Sequence, residues 1–193
     1  PNSSEQQLTR GYITVATKNW DNLTSAQREA WENYARTYFA ADGRPRTSPG
    51  LTAYVRANTM RQLLGLPLTT DAPVEAPPAP VQGIAQVDAT NPDTVGVIIY
   101  HTFPSTTGLV VAVRMTPATH TVARRPQPAD LRYVKGATAA STLALPASGG
   151  AVQFYPARYH IQDGQRYGVE VRVVRTADGI ASPPVMGDFI KVV

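Results

Sequence analysis

The sequence contains no cysteine among its 193 residues, which excludes disulfide bridges, thiol nucleophiles and thiolate metal sites. Charged residues make up only 17% of the chain, below the roughly one quarter that is usual in globular domains. The longest apolar runs, such as GLVVAV at 108–113, have the length of strands, and none approaches the roughly 20 residues of a transmembrane helix. The formal charge of +4 is scattered, and its longest basic run is Arg124-Arg125. This distribution argues against nucleic-acid binding, which concentrates charge on one face or helix.

Residue patterns typical of catalysis or metal binding are also missing. His101, His120 and His160 are too widely spaced for an H-x-x-x-H or H-E-x-x-H metal motif. Asp163 and Asp178 each precede glycine, which makes them turn residues rather than catalytic acids. The sequence therefore predicts no catalytic, cofactor-binding or metal-binding residue, and we expect a protein that is not an enzyme.

Three helical patterns occupy residues 1–66. The first begins near Ser3 or Ser4 and places Leu8, Tyr12, Val15 and Ala16 at helical spacing. The second opens with TSAQ at 24–27, a capping box in which the threonine hydroxyl and the glutamine side chain satisfy each other's backbone amides. The third runs from about Pro49 to Leu64 and is stopped by Gly65 and Pro67. This stretch predicts a three-helix domain.

The pattern changes after the third helix. Residues 67–80 contain five prolines, which favour an extended, semi-rigid linker. From 81 to 193 the hydrophobic period becomes two, and RYGVEVRVVRT at 166–176 alternates most clearly. Seven or eight short strands over this length predict an antiparallel β-sandwich. The predicted fold is thus α+β in two parts: helices, proline-rich linker and sandwich.

The aromatic residues of the helical part are predicted to form its core. A unit of this size has a marginal core, and each aromatic side chain buries roughly 150–250 Å². Trp20 ends the first helix and Trp31 lies one turn into the second, so both can meet at the bend, with Tyr34 and Tyr54 beside them. The alternative is an aromatic docking face exposed to solvent, which would bind a partner rather than hold the domain together.

The helical part resembles a family of small proteins encoded by bacteriophages and prophages. The motifs are WDNLTSAQREAWENYA at 20–35, which follows the family pattern W-x-x-L-T-x-x-Q-R-x-x-W, and SPGLTAYVRAN at 48–58. Pro1, Ser4, Gln7 and Arg10 match a preceding motif with looser spacing. The resemblance covers about residues 1–60 and implies a structural protein without enzymatic activity.

The second part resembles a fibronectin type III or related immunoglobulin-like sandwich. The matching stretch is DGQRYGVEVRVVRTADGIASPPV at 163–185. The resemblance places Tyr167 in the tyrosine corner of that fold, and Tyr100 takes the position of its usual strand-B tryptophan. Such domains bind or space other domains, and they seldom catalyse reactions.

These features together predict a repeated structural subunit of a larger assembly, most of all a phage virion, as a capsid decoration, neck or tail component. Its partners would be copies of itself and other structural proteins. The expected subunit contacts are Arg124, Arg125, Phe189, Ile190 and Val193. One alternative is a subunit of a bacterial cell surface or extracellular filament. Another is a carbohydrate- or peptide-binding module that uses surface tyrosines such as Tyr155 and Tyr159.

Overall fold

The computed structural model describes residues 4–39, 49–87, 95–116, 132–133, 135–136, 143–155 and 164–190. Its helices are α1 (Ser4–Trp20), α2 (Ser25–Phe39) and α3 (Pro49–Leu63). Both α1 and α2 pack against α3. The three predicted helices are therefore present.

The ends of α2 and α3 follow from local sequence. At the start of α2, the Thr24 backbone amide donates to Gln27 Oε1 at 3.0 Å, and the Gln27 amide donates to Thr24 Oγ1 at 3.2 Å. These two bonds are the predicted capping box. After α3, Gly65 takes a φ of +72°, and the Leu66 amide donates to the Arg61 carbonyl at 2.8 Å. A left-handed glycine with this bond is the usual way of closing a helix C-terminus.

The second part of the chain forms two antiparallel sheets. Their strands are β1 (Gly83–Val87), β2 (Val95–Tyr100), β3 (Leu109–Met115), β4 (Arg132–Tyr133), β5 (Lys135–Gly136), β6 (Leu143–Ala144), β7 (Gly150–Tyr155), β8 (Arg166–Arg175) and β9 (Val185–Ile190). The first sheet has the strand order β1-β2-β7-β5, and the second has the order β4-β3-β8-β9 with β6 also paired to β3. The fold is thus a helical unit followed by an antiparallel β-sandwich, as the sequence predicts.

The core of the sandwich is built from side chains of both sheets. Val97 and Ile99 of β2 are buried in the same cluster as Val111 and Val113 of β3. Strand β8 contributes every second residue, namely Tyr167, Val169, Val171 and Val173. Because side chains alternate across a strand, this is the face that the sequence alternation predicts. Tyr100 is 44% exposed, so the prediction that it replaces a core tryptophan is wrong.

The chain divides into two compact units whose boundaries differ from the predicted ones. The helical unit comprises residues 1–78 together with Arg175–Ala181, and the sandwich unit comprises 79–174 together with 182–193. Most of the predicted linker, 67–80, therefore belongs to the helical unit instead of separating two domains. The turn between β8 and β9 also belongs to the helical unit, although the sequence assigns it to the sandwich.

Candidate functional site

The centre of the helical unit is an aromatic cluster around Tyr54. Trp31 meets Tyr54 edge to face, with ring centroids 5.4 Å apart and planes at 87°, and Trp20 lies 5.4 Å from Tyr54 on another side. Trp31 and Tyr54 are fully buried, whereas Trp20 is partly buried and packs against the cluster. The Asn19 side-chain amide donates to the Tyr54 hydroxyl at 2.6 Å. Tyr54 thus lies in contact with both tryptophans, and the two tryptophan rings pack within the helical unit.

Tyr34 lies at one side of this cluster, against the rings of Tyr38 and Phe39. Its hydroxyl is buried and makes no hydrogen bond of good geometry with the described residues, although the Arg175 guanidinium lies near it. Burial raises the pKa of Tyr34 strongly, the Asp178 carboxylate raises it further, and the Arg175 guanidinium acts to lower it. Burial also raises the pKa of Tyr54, against the opposing effect of the Asn19 hydrogen bond. Both hydroxyls are therefore held in the neutral form.

Residues 67–78, which we call the proline segment, pack on the helices. Side chains of α2 and α3 form hydrogen bonds to the backbone of this segment. Asn58 binds both backbone polar groups of Thr69. Its Oδ1 accepts from the Thr69 amide at 2.8 Å, and its Nδ2 donates to the Thr69 carbonyl at 3.1 Å. Trp31 Nε1 donates to the Thr70 carbonyl at 2.9 Å, and Arg61 Nε donates to the Pro67 carbonyl at 2.6 Å. The proline segment, which the sequence predicts as a spacer, is thus packed against the helices, because side chains of α2 and α3 form hydrogen bonds to its backbone.

Residues 175–181, which we call the tip, form the turn between β8 and β9 and complete the same unit. Arg61 Nη1 donates to the carbonyls of Thr176 and Ala177, each at 2.6 Å. Gly179 lies against the Ala57 carbonyl so closely that a Cβ would collide with it. Ile180 is buried in the aromatic cluster. The tip thus supplies backbone acceptors, one close glycine and one apolar anchor.

Arg175 fastens the base of the tip to the proline segment. Its guanidinium donates to Asp178 Oδ2 at 2.7 Å and to Glu75 Oε2 at 2.7 Å. Asp178 Oδ1 also accepts from the Ile180 amide at 2.9 Å, which is the local bond of an Asx turn. Asp178 therefore acts in a turn, as the sequence predicts, and in addition pairs with Arg175.

The outer surface of α1 carries exposed aliphatic side chains. Leu8 and Val15 are each 48% exposed and Ile13 is 43% exposed, whereas Ala16 is buried. Leu8 and Val15 thus follow the helical spacing that the sequence indicates but face solvent. Gly11 lies between these two positions, and a Cβ there would meet no atom within 4 Å. Because residues 8, 11 and 15 follow a spacing of three and four, they share one face of the helix.

In the sandwich, Glu170 forms a charge cluster that the sequence pattern missed. The carboxylate is buried, and its Oε1 accepts from Arg114 at 3.1 Å and from Arg172 at 2.9 Å. Glu170 faces away from Val169, Val171 and Val173, so alternation alone suggests an exposed residue. The nearby Arg172 was the available signal, since two residues along a strand share a face.

His101 has a defined hydrogen-bonding arrangement. Its Nδ1 accepts from the Phe103 amide at 3.2 Å, so the proton lies on Nε2, which is 2.8 Å from the Pro146 carbonyl. The ring also packs against Phe103, with centroids 4.9 Å apart. Both ring nitrogens are thus occupied in joining two loops, which is a structural role. His120 and His160 lie outside the described residues.

The residues predicted as subunit contacts have different positions. Phe189 is partly buried and packs against the sandwich core, with its ring 6.4 Å from that of Tyr167. Ile190 is exposed. Arg124, Arg125 and Val193 lie outside the described residues, as do Tyr159 and the side chain of Tyr155.

Neither a metal site nor a membrane-spanning helix is found among the described residues. No group of three or more histidine, aspartate or glutamate side chains within these ranges has the arrangement of a metal site. None of the helices in the described ranges is long and apolar enough to span a membrane.

Comparison with known proteins relates the chain to β-sandwich structures at low similarity. A computationally redesigned β-sandwich protein matches 58% of this chain and 89% of its own, with a TM-score of 0.36 and 16% identity. The chicken interferon gamma receptor alpha chain matches 60% of this chain and 51% of its own, with a TM-score of 0.35 and 11% identity. No protein-family model matches the sequence, and no curated protein matches it.

Proposed function

We propose that this protein is a non-enzymatic structural subunit of a larger assembly and that α1 is one of its contact surfaces. The observation that carries the proposal is the apolar stripe of Leu8, Gly11 and Val15. Two aliphatic side chains about half exposed stand two turns apart, with open space above the glycine between them. Helices that dock in grooves use anchors at this spacing.

The interior of the helical unit supports a scaffold role over an aromatic docking site. The rings of Trp31 and Tyr54 are buried against each other, and the Trp31 indole N–H is bonded to the Thr70 carbonyl. A partner has no access to these groups while the unit is folded. The exposed aliphatic residues of α1 are accessible to a neighbour, and we therefore take them as the contact surface.

The assembly that we propose is a bacteriophage virion, in which the protein serves as a capsid decoration, neck or tail component. Support comes from the resemblance of WDNLTSAQREAWENYA at 20–35 to phage-encoded proteins. The sandwich suits this role as a spacer, since its core is closed by its own side chains. Its partners would be copies of itself and other structural proteins.

The proposal is tested by light scattering coupled to size exclusion over a range of concentrations. We expect oligomers of the natural chain and a shift toward monomer for the variant carrying Leu8→Gln and Val15→Gln. Ile13→Gln is the matched control, because Ile13 is exposed on the same helix but lies five residues, about 140°, around from Leu8. A chain that is monomeric at every concentration and that fails to bind isolated capsids contradicts the proposal.

A further inference from the structure

The helical unit is completed by a segment that joins it from far along the chain. Arg61 donates to the Thr176 carbonyl across 115 residues, and Arg175 donates to the Glu75 carboxylate across 100 residues. The tip and the helices belong to one compact unit, although the sandwich strands lie between them in sequence. We call the surface that receives the tip the seat; it is formed by Ala57, Arg61 and Glu75.

The tip is recognised mainly through its backbone. Two of its carbonyls bind Arg61, and Gly179 fits because it has no side chain to meet the Ala57 carbonyl. Ile180 is its buried apolar anchor. These contacts are noncovalent, so an identical tip on another chain offers the seat the same groups.

The connection that leads from the first segment of the helical unit into the sandwich is short. Pro78 ends the first segment of the helical unit, and Val81 is already buried in the sandwich core. Only Ala79 and Pro80 lie between them. Short hinges favour the exchange of identical elements between copies, and exchange forms oligomers without any new interface.

We infer that the seat is an exchangeable docking site whose occupant in the assembly is the tip of a second copy of this chain. This inference rests on the proposed assembly function and identifies the partner as the chain itself. The Arg61 bonds, the Gly179 contact and the Ile180 anchor are all retained in the exchanged form. Each helical unit is then closed by a neighbour, which links subunits through contacts already present in one chain.

Cysteine cross-linking tests the exchange directly, because the natural chain contains no cysteine. One chain carries Ala76→Cys beside the seat, and a second, isotopically heavy chain carries Ala177→Cys in the tip; both alanines are exposed. The two chains are unfolded together, refolded and treated with a flexible bis-maleimide. Mass spectrometry identifies the mixed dimer, because it contains one light and one heavy chain. A single chain that carries both cysteines gives the reference yield of cross-linking within one molecule.

We expect a mixed dimer whose yield falls severalfold when the tip chain also carries Gly179→Ala, which obstructs the seat. A mixed dimer that is absent, or that forms equally with Gly179→Ala, overturns the exchange. If the natural chain is oligomeric by light scattering and this mixed dimer is absent, the exchange is wrong and the assembly function stands. A strictly monomeric chain overturns the exchange as well, and if it also fails to bind isolated capsids, it contradicts the assembly function itself.

Discussion

The Trp31 indole and the Tyr54 phenol ring meet edge to face in the centre of the helical unit, with centroids 5.4 Å apart. Both rings are fully buried, and the Trp31 N–H is bonded to the proline segment. A single side chain thus joins the aromatic cluster to the segment that covers it. The stability of the helical unit should depend strongly on this residue.

We predict that Trp31→Ala destabilises the helical unit by about 3–5 kcal/mol, since it removes a large buried ring. Trp31→Phe keeps most of the ring volume and leaves the Thr70 carbonyl without its donor, which should cost about 1–2 kcal/mol. Far-ultraviolet circular dichroism during urea unfolding measures both. A Trp31→Ala protein that stays fully helical and loses only partner binding would favour the aromatic docking alternative.

Asn58 is predicted to hold the proline segment in place. Asn58→Ala removes the partners of both the Thr69 amide and the Thr69 carbonyl, and we expect a loss of about 2–3 kcal/mol. Hydrogen exchange should show lost protection at the Thr69 amide before the helices themselves open. The matched control is Asn22→Ala, at an exposed asparagine, with an expected change within about 0.5 kcal/mol. Unchanged protection at Thr69 would show that other contacts hold the segment.

Tyr34 is predicted to make the helical unit sensitive to alkali. Its pKa is raised by burial and then by Asp178, whereas an unfolded tyrosine ionises near pH 10. Below about pH 10 both states keep the proton, so this contribution to stability is fully present. Above that pH the unfolded state loses the proton first, and the free energy of unfolding falls as pH rises.

Tyr34→Phe should therefore flatten the alkaline decline and change stability at neutral pH by no more than about 0.5 kcal/mol, since the hydroxyl makes no hydrogen bond of good geometry among the described residues. Part of the decline should remain, because burial also raises the pKa of Tyr54. Tyr38→Phe, at an exposed ring, is the control. If both variants follow the natural chain between pH 9 and pH 11, roughly the range around the tyrosine pKa, the assignment to Tyr34 fails.

The local features of this fold could be predicted from sequence because they depend on near neighbours. The capping box pairs Thr24 with a residue three positions away, and the alternation of β8 is a property of one strand. Each of these patterns is complete within a few residues. The helices and the sandwich follow from them.

The closure of the helical unit could not be predicted in the same way. Asn58 binds Thr69 across a break in secondary structure, and Arg61 binds carbonyls more than a hundred residues away. Carbonyl acceptors are the same in every residue, so no sequence pattern marks them as partners. Prolines at 67–80 indicate only an extended backbone, and whether such a segment is docked depends on side chains elsewhere.

The sequence also does not indicate which side of α1 is buried. Its apolar residues are spread around the helix, and the buried one, Ala16, is smaller than the exposed Leu8 and Val15. A pattern that ranks residues by size and hydrophobicity would place Leu8 and Val15, rather than Ala16, in the core. Packing against α3 selects the side of α1 that includes Ala16.

The final prediction isolates the contribution of the tip by comparing two glycines with the same backbone conformation. Gly179 and Gly164 both have a φ of +76°, so alanine at either position should cost about 1–2 kcal/mol in backbone strain. Only at Gly179 does the new Cβ collide with the Ala57 carbonyl and the Arg61 side chain, whereas at Gly164 it meets nothing within 4 Å.

Both tryptophans of the chain lie in the helical unit, so their fluorescence during unfolding reports on that unit alone. We expect Gly179→Ala to lower the stability measured by tryptophan emission by roughly 2–5 kcal/mol, the sum of strain and steric overlap. Gly164→Ala should leave the tryptophan transition in place, because its turn belongs to the sandwich unit. Equal shifts in the two variants would mean that the contact between the tip and α3 does not stabilise the helical unit. A shift confined to Gly179→Ala would show that a turn of the sandwich hairpin is needed to close the helices.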